Sequence, residues 1–126
     1  MPDLVLVVDD ESLVRWSLGE RLRLAGYEVR DAANARDARA LFAAVGNHCR
    51  RVVLLDLRLP DADGLALFDE LRELHPGWPV IVLSAQTTPE LAQSMLGAGA
   101  LHVGTKPFDL DEIVTQVRRG FAVGAA

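Results

Sequence analysis

Asp9, Asp10 and Asp56 each stand at the end of an apolar run. The first two follow Leu4-Val5-Leu6-Val7-Val8, and the third follows Val52-Val53-Leu54-Leu55. Short, β-branched-rich runs of this kind read as central strands of a parallel sheet, whose ligands gather beyond the strands' carboxyl ends. If the two strands are neighbours, three acids meet in one crevice. Like charges there raise one another's pKa unless a cation sits among them. An all-oxygen set suits a hard ion, and Mg²⁺ typically takes one or two carboxylates plus water and phosphate oxygens. Two later runs end in a hydroxyl, Val80-Ile81-Val82-Leu83-Ser84, and in Lys106-Pro107. Acids, hydroxyl and lysine at separate strand ends are the parts of a Mg²⁺-dependent phosphoryl site.

The elements that must position these residues alternate strictly. Strands are expected over 4–8, 27–30, 52–55, 80–83 and 101–104, the second being the weakest and patterned as an edge. The first helix follows Ser12, carries Val14, Leu18, Leu22 and Ala25 at helical spacing, and stops at Gly26. The second runs from Asn34, as N-cap, through Ala38, Leu41, Phe42 and Val45 to Gly46. The third carries Leu67, Phe68, Leu71 and Leu74 and ends before Pro76. The fourth, over 89–97, is poor, with a Thr87-Thr88-Pro89 opening and Gly97 and Gly99 loosening its end. The fifth begins after Asp109 with Leu110, Ile113, Val114 and Val117 turned inward. Strict βα alternation predicts a doubly wound α/β sandwich around a five-stranded parallel sheet. Order 2-1-3-4-5 places the first and third strands side by side, as the acid cluster requires.

Composition narrows the function. The chain has 126 residues, half of them hydrophobic, enough for one domain with its own core. A net charge of −5 supplies no electrostatic footprint for nucleic acid. No apolar stretch approaches the ~20 residues that span a bilayer. Cys49 is the single cysteine, which excludes an internal disulfide and fits a reducing compartment. With no signal-peptide pattern at the start, a cytoplasmic location is expected. His48, His75 and His102 fall on different elements without metal-ligand spacing. Trp16 lies about 200° around the first helix from Val14, so part of it should face solvent.

Taken together, Val7-Val8-Asp9-Asp10-Glu11, Leu55-Asp56-Leu57-Arg58-Leu59-Pro60, Asp63-Gly64, Leu83-Ser84-Ala85, Gly99-Ala100 and Lys106-Pro107-Phe108 resemble a bacterial response-regulator receiver domain. Each piece has a bland reading alone: the acids as a helix cap, Asp56 as a turn former, Lys106 as a surface lysine. Their order and strand-end placement carry the resemblance. It implies a flavodoxin- or CheY-like fold, with residues 1–121 as the receiver and 122–126 as a tail or the start of a linker. It implies that Asp56 accepts a phosphoryl group from the phosphohistidine of a histidine kinase or a phosphotransfer protein. Asp10, Asp56 and the backbone carbonyl of Arg58 would hold Mg²⁺, with Asp9 acting through water. Ser84 would bond a phosphoryl oxygen, Lys106 would pair with its charge, and the Lys106-Pro107 bond would be cis. Phosphorylation would switch the face of the fourth helix and fifth strand toward an output domain or a partner, with homodimerisation one outcome. Such a domain catalyses its own phosphorylation and turns over no external substrate.

The Val14-Arg15-Trp16-Ser17-Leu18 stretch is similar to receivers of enhancer-binding, NtrC-like transcription activators. One position departs: receivers usually carry Tyr or Phe three residues before the lysine, and this chain has Val103. Valine has a restricted χ1 and no comparable lever. His102 faces the other side of its strand and is a poor substitute. A phosphatase of the haloacid-dehalogenase type would need a second Asp at the position of Arg58. A flavodoxin-type cofactor binder would need a phosphate loop where Asp9-Asp10-Glu11 repel phosphate. A degenerate receiver, binding partners without phosphorylation, is opposed by the complete set of acid, hydroxyl and lysine.

Overall fold

The computed structural model describes residues 3–124. The elements are β1 (Leu4–Val8), α1 (Ser12–Leu24), β2 (Glu28–Ala32), α2 (Ala35–Val45), β3 (Arg51–Asp56), α3 (Gly64–Leu74), β4 (Val80–Ser84), α4 (Pro89–Gly97), β5 (His102–Thr105) and α5 (Leu110–Gly124). All neighbouring strands pair in parallel in the order β2-β1-β3-β4-β5, which is the expected order.

The near-continuous apolar runs follow from burial on both faces. Leu4, Leu6, Val8, Val53, Leu55, Val80 and Val82 pack with α2, α3 and α4 residues such as Phe42, Phe68 and Met95. Their neighbours Val5, Val7, Val52, Leu54, Ile81 and Leu83 pack on the other side with Leu18 and Leu22 of α1 and Ile113 and Val117 of α5. Each fully buried Val or Leu side chain contributes on the order of 1.5–3 kcal/mol, so the central strands anchor the sheet. An acid at the end of such a strand is therefore held in place by the core beneath it.

The local boundaries show several differences. β2 starts at Glu28 and not at Tyr27, because the Tyr27 N–H is taken by the Leu22 carbonyl at 3.1 Å as α1 unwinds. Gly26 makes that reversal with φ 99°, a region that favours glycine. β2 also runs on past Arg30, because Asp31 and Ala32 pair with Val7 and Val8. β5 covers His102–Thr105, one residue later than expected, with Thr105 opposite Ser84. Ser12 lies inside α1, and Glu11 is the N-cap position without a side-chain cap. Asn34 does cap α2, accepting the Asp37 N–H, and α4 has the expected bounds. α5 continues through Gly124, so residues 122–124 of the expected tail or linker start are helical; Ala125 and Ala126 lie outside the described residues.

Candidate functional site

Register builds the site. Val8 pairs with Leu55, so Asp9 and Asp56 emerge side by side from the centre of the sheet. Both are buried, whereas Asp10 on the following turn is exposed. One carboxylate oxygen from each of Asp9, Asp10 and Asp56 lies within 4.8 Å of the others. Among the described residues this is the one grouping of acids, histidines or cysteines placed to share an ion. His48, His75 and His102 are outside it, and the ring of His75 instead stacks on Trp78 at 3.8 Å.

Lys106 reaches the acids because its N–H bonds the Ser84 carbonyl at 2.8 Å, aligning the end of β5 with that of β4. Its ammonium stands 2.7 Å from Asp9 Oδ2, 3.1 Å from Asp56 Oδ2 and 3.1 Å from Glu11 Oε1. The Lys106-Pro107 peptide is cis. Asp56 Oδ1 accepts the Arg58 N–H at 3.0 Å, and Asp9 Oδ1 accepts the Glu11 N–H at 2.9 Å. Asp9 Oδ2 is held by the Lys106 ammonium as a close ion pair. Ser84 is buried at the end of β4, its Oγ accepting the Gln86 N–H at 3.2 Å and donating to the Gln86 carbonyl at 3.3 Å. Asp56, Arg58, Ser84 and Gln86 all line one cleft of about 240 Å³.

The electrostatics are those of a crowded anion. Burial pushes the Asp56 carboxyl above its ordinary value, and the Asp9 charge adds to this, while the Arg58 N–H and Lys106 oppose it. Burial works against the Lys106 charge, but Asp9 and Asp56 outweigh it and hold the ammonium well above the ordinary lysine value. The lysine is a permanent cation that only partly offsets three acids. A hard-oxygen cluster of three carboxylates that share a single ammonium fits Mg²⁺ with part of its water shell.

Sequence reading missed two contributors. Glu11 competes for Lys106 from the rim, which only the fold could show. Arg15 donates to the Asp9 carbonyl at 2.8 Å and lies 3.4 Å from Asp31, bracing the acidic turn.

The sequence over residues 5–118 matches the family model described as the response regulator receiver domain. The chain belongs to the response regulator receiver family. This receiver is 40% identical over 115 residues to the regulatory protein AtoC of Escherichia coli, covering 91% of the chain and 24% of that protein. It is 37% identical over 119 residues to the DNA-binding transcriptional regulator NtrC of Salmonella typhimurium, covering 94% of the chain and 25% of that protein. The receiver thus spans about a quarter of the length of these curated relatives. Among solved structures, the receiver domain of NtrX from Brucella abortus superposes with a TM-score of 0.83 at 35% identity, covering 94% of this chain and 98% of that one. The fold is the CheY-like flavodoxin fold, and the resemblance to NtrC-like receivers read from the sequence holds. As a signalling switch the receiver has no helix among its described residues long and apolar enough to cross a membrane.

Proposed function

We propose that this receiver accepts a phosphoryl group on Asp56 from the phosphohistidine of a cognate histidine kinase or phosphotransfer protein, in a Mg²⁺-dependent reaction in the cytoplasm. The observation that supports it best is the convergence of Asp9 and Lys106 on the buried Asp56 carboxylate. An Asp56 oxygen forms the new bond to phosphorus as the phosphorus–nitrogen bond breaks and the imidazole leaves. Asp10, Asp56 and the Arg58 carbonyl would hold the metal directly, and Asp9 through water. When bound, Mg²⁺ neutralises the acids and the oxygens of the phosphoryl group.

The remaining roles belong to the chain's own side chains. Lys106 supplies a fixed positive charge beside Asp56. Ser84 exchanges its bonds to Gln86 for one to a phosphoryl oxygen, drawing the β4–α4 loop inward. Arg58 and Gln86 flank the cleft and set the lifetime of the acyl phosphate by controlling water. The signal leaves through α4 and β5 to an output domain or partner, a second copy of the chain included. Residues 1–121 carry these functions, without turnover of an external substrate.

Intact-mass spectrometry after incubation with acetyl phosphate and Mg²⁺ tests this reading. One phosphoryl group, stable to acid, labile to base and absent from Asp56→Asn, is expected. Modification that persists in Asp56→Asn on a serine or threonine would overturn it.

A further inference from the structure

Asp61 ties two loops together beside the acid crevice. It belongs to the loop between β3 and α3, yet its carboxylate accepts the N–H of Ala35 at 2.8 Å and of Arg36 at 3.0 Å. Those are the first residues of α2, which follows β2. In the sheet, β2 and β3 lie on opposite sides of β1. The Asp61 carboxylate thus joins the loops that flank the strand end bearing Asp9 and Asp10.

Local helix chemistry explains part of this contact. The first N–H groups of a helix have no partner within it. The Asn34 side chain satisfies only the Asp37 N–H, at 2.7 Å, and Asp61 takes the two that precede it. The Ala35 N–H, then the Arg36 N–H, hold the Asp61 carboxyl below the usual carboxylate range, so it stays ionised. The other end of the same loop is also fixed. Gly64 donates its N–H to the Leu57 carbonyl at 3.1 Å, and Arg58 pairs with Asp63 as an antiparallel bridge. A Cβ on Gly64 would run into the Leu57 backbone, so this closure needs glycine. The loop is fastened at its base by Leu57 and Gly64 and near its tip by Asp61, with Arg58 between.

We propose that Asp61 is a positioning residue for the metal site: by clasping the start of α2 it holds the Arg58 carbonyl in register with the Asp9-Asp10 turn. The inference rests on the Mg²⁺ site proposed above and adds a residue that never touches the ion. Mg²⁺ demands near-ideal octahedral geometry with short bonds, so small displacements of one ligand lower its affinity. Partners that orient metal ligands typically account for about 10–100-fold in affinity.

Calorimetric titration of the full chain with MgCl₂ tests the proposal, using wild type, Asp61→Ala, Asp61→Asn and Asn34→Ala. Asp61→Ala is expected to bind Mg²⁺ about tenfold more weakly. Asp61→Asn keeps one acceptor oxygen and is expected to fall between. Asn34→Ala removes the other α2 cap, so it should lower the melting temperature yet leave the Mg²⁺ affinity unchanged. If Asp61→Ala fails to fold, the pair Asp61→Asn and Asn34→Ala carries the comparison alone. Equal losses of affinity in the Asp61 and Asn34 variants, or Asp61 variants within twofold of wild type, would overturn the clasp while leaving the metal site standing. A wild type that binds no Mg²⁺, or whose binding survives Asp10→Ala, would overturn the site reading and this inference with it.

Discussion

Lys106 Nζ stands 3.1 Å from Asp56 Oδ2 although 50 residues separate them in the chain. The contact exists because β5 and β3 end at the same level on either side of β4. It places the one nearby ammonium where it must be shared among Asp9, Glu11 and Asp56. Without metal, the stability of the site depends on that lysine.

Lys106→Met is therefore expected to leave Asp9 and Asp56 without their counter-charge. Breaking a buried ion pair from one side typically costs about 3–5 kcal/mol, and a loss of that order is expected in metal-free buffer. Millimolar Mg²⁺ is expected to restore part of it. Urea unfolding midpoints with and without Mg²⁺ read both effects, and a metal-free variant as stable as wild type would contradict them.

Asp56→Asn is expected to act in the opposite direction. The Asp56 carboxyl titrates above its ordinary value of 3.8 because of burial and the nearby Asp9 charge. For an acid raised in the folded state, the ionised form weakens folding. That cost is fully present above the folded pKa and disappears as pH falls through it toward 3.8. The asparagine variant is thus expected to melt higher than wild type at neutral pH without metal, with the advantage vanishing on acidification. Melting curves across that window decide it; an advantage that grows as pH falls would reverse the sign.

Mg²⁺ is expected to raise the melting temperature of wild type by mass action, the gain growing with the logarithm of its concentration once the dissociation constant is passed. At a hundredfold excess over its dissociation constant a ligand contributes about 2.7 kcal/mol. Asp10 is exposed, so Asp10→Ala should cost the metal-free fold little while abolishing the Mg²⁺ response. Thermal melts over a Mg²⁺ series check both, and an unchanged response in Asp10→Ala would remove that residue from the site.

The fold was legible wherever burial alone decides structure. The runs before Asp9, Asp56 and Ser84 are apolar because both faces of their strands are covered, and they identified the sheet and its switch point. β2 was misplaced at both ends because half of it faces solvent. Asp31 looks like a loop residue until its pairing with Val7 is seen. The gathering of Asp9, Asp10, Asp56 and Lys106 could be inferred because strand ends are fixed points. The roles of Glu11, Arg15 and Asp61 could not, since flexible side chains choose partners only after the loops are placed. α5 runs on through Ala122 and Val123 because neither carries a signal that stops a helix.

Val103 bears on the output. It packs toward the core shared with α4, while His102 lies on the opposite side, near enough to Glu112 and Arg119 on α5 to feel their charges. Phosphorylation should still draw Ser84 inward and tighten the start of α4, but without an aromatic side chain to couple the movement. Hydrogen exchange on the beryllofluoride-treated protein is expected to show modest added protection over residues 85–104. Protection confined to the loops beside Asp56 would mean that the signal leaves elsewhere.

The central claim, that Asp56 is the phosphoacceptor, is tested most directly by trapping the acyl phosphate. Borohydride reduces an aspartyl phosphate, and not a free carboxylate, to homoserine. After treatment with acetyl phosphate and Mg²⁺, peptide mapping is expected to find that conversion at position 56 alone. Conversion at Asp9 or Asp10, or none at position 56 in a fully phosphorylated sample, would contradict the account.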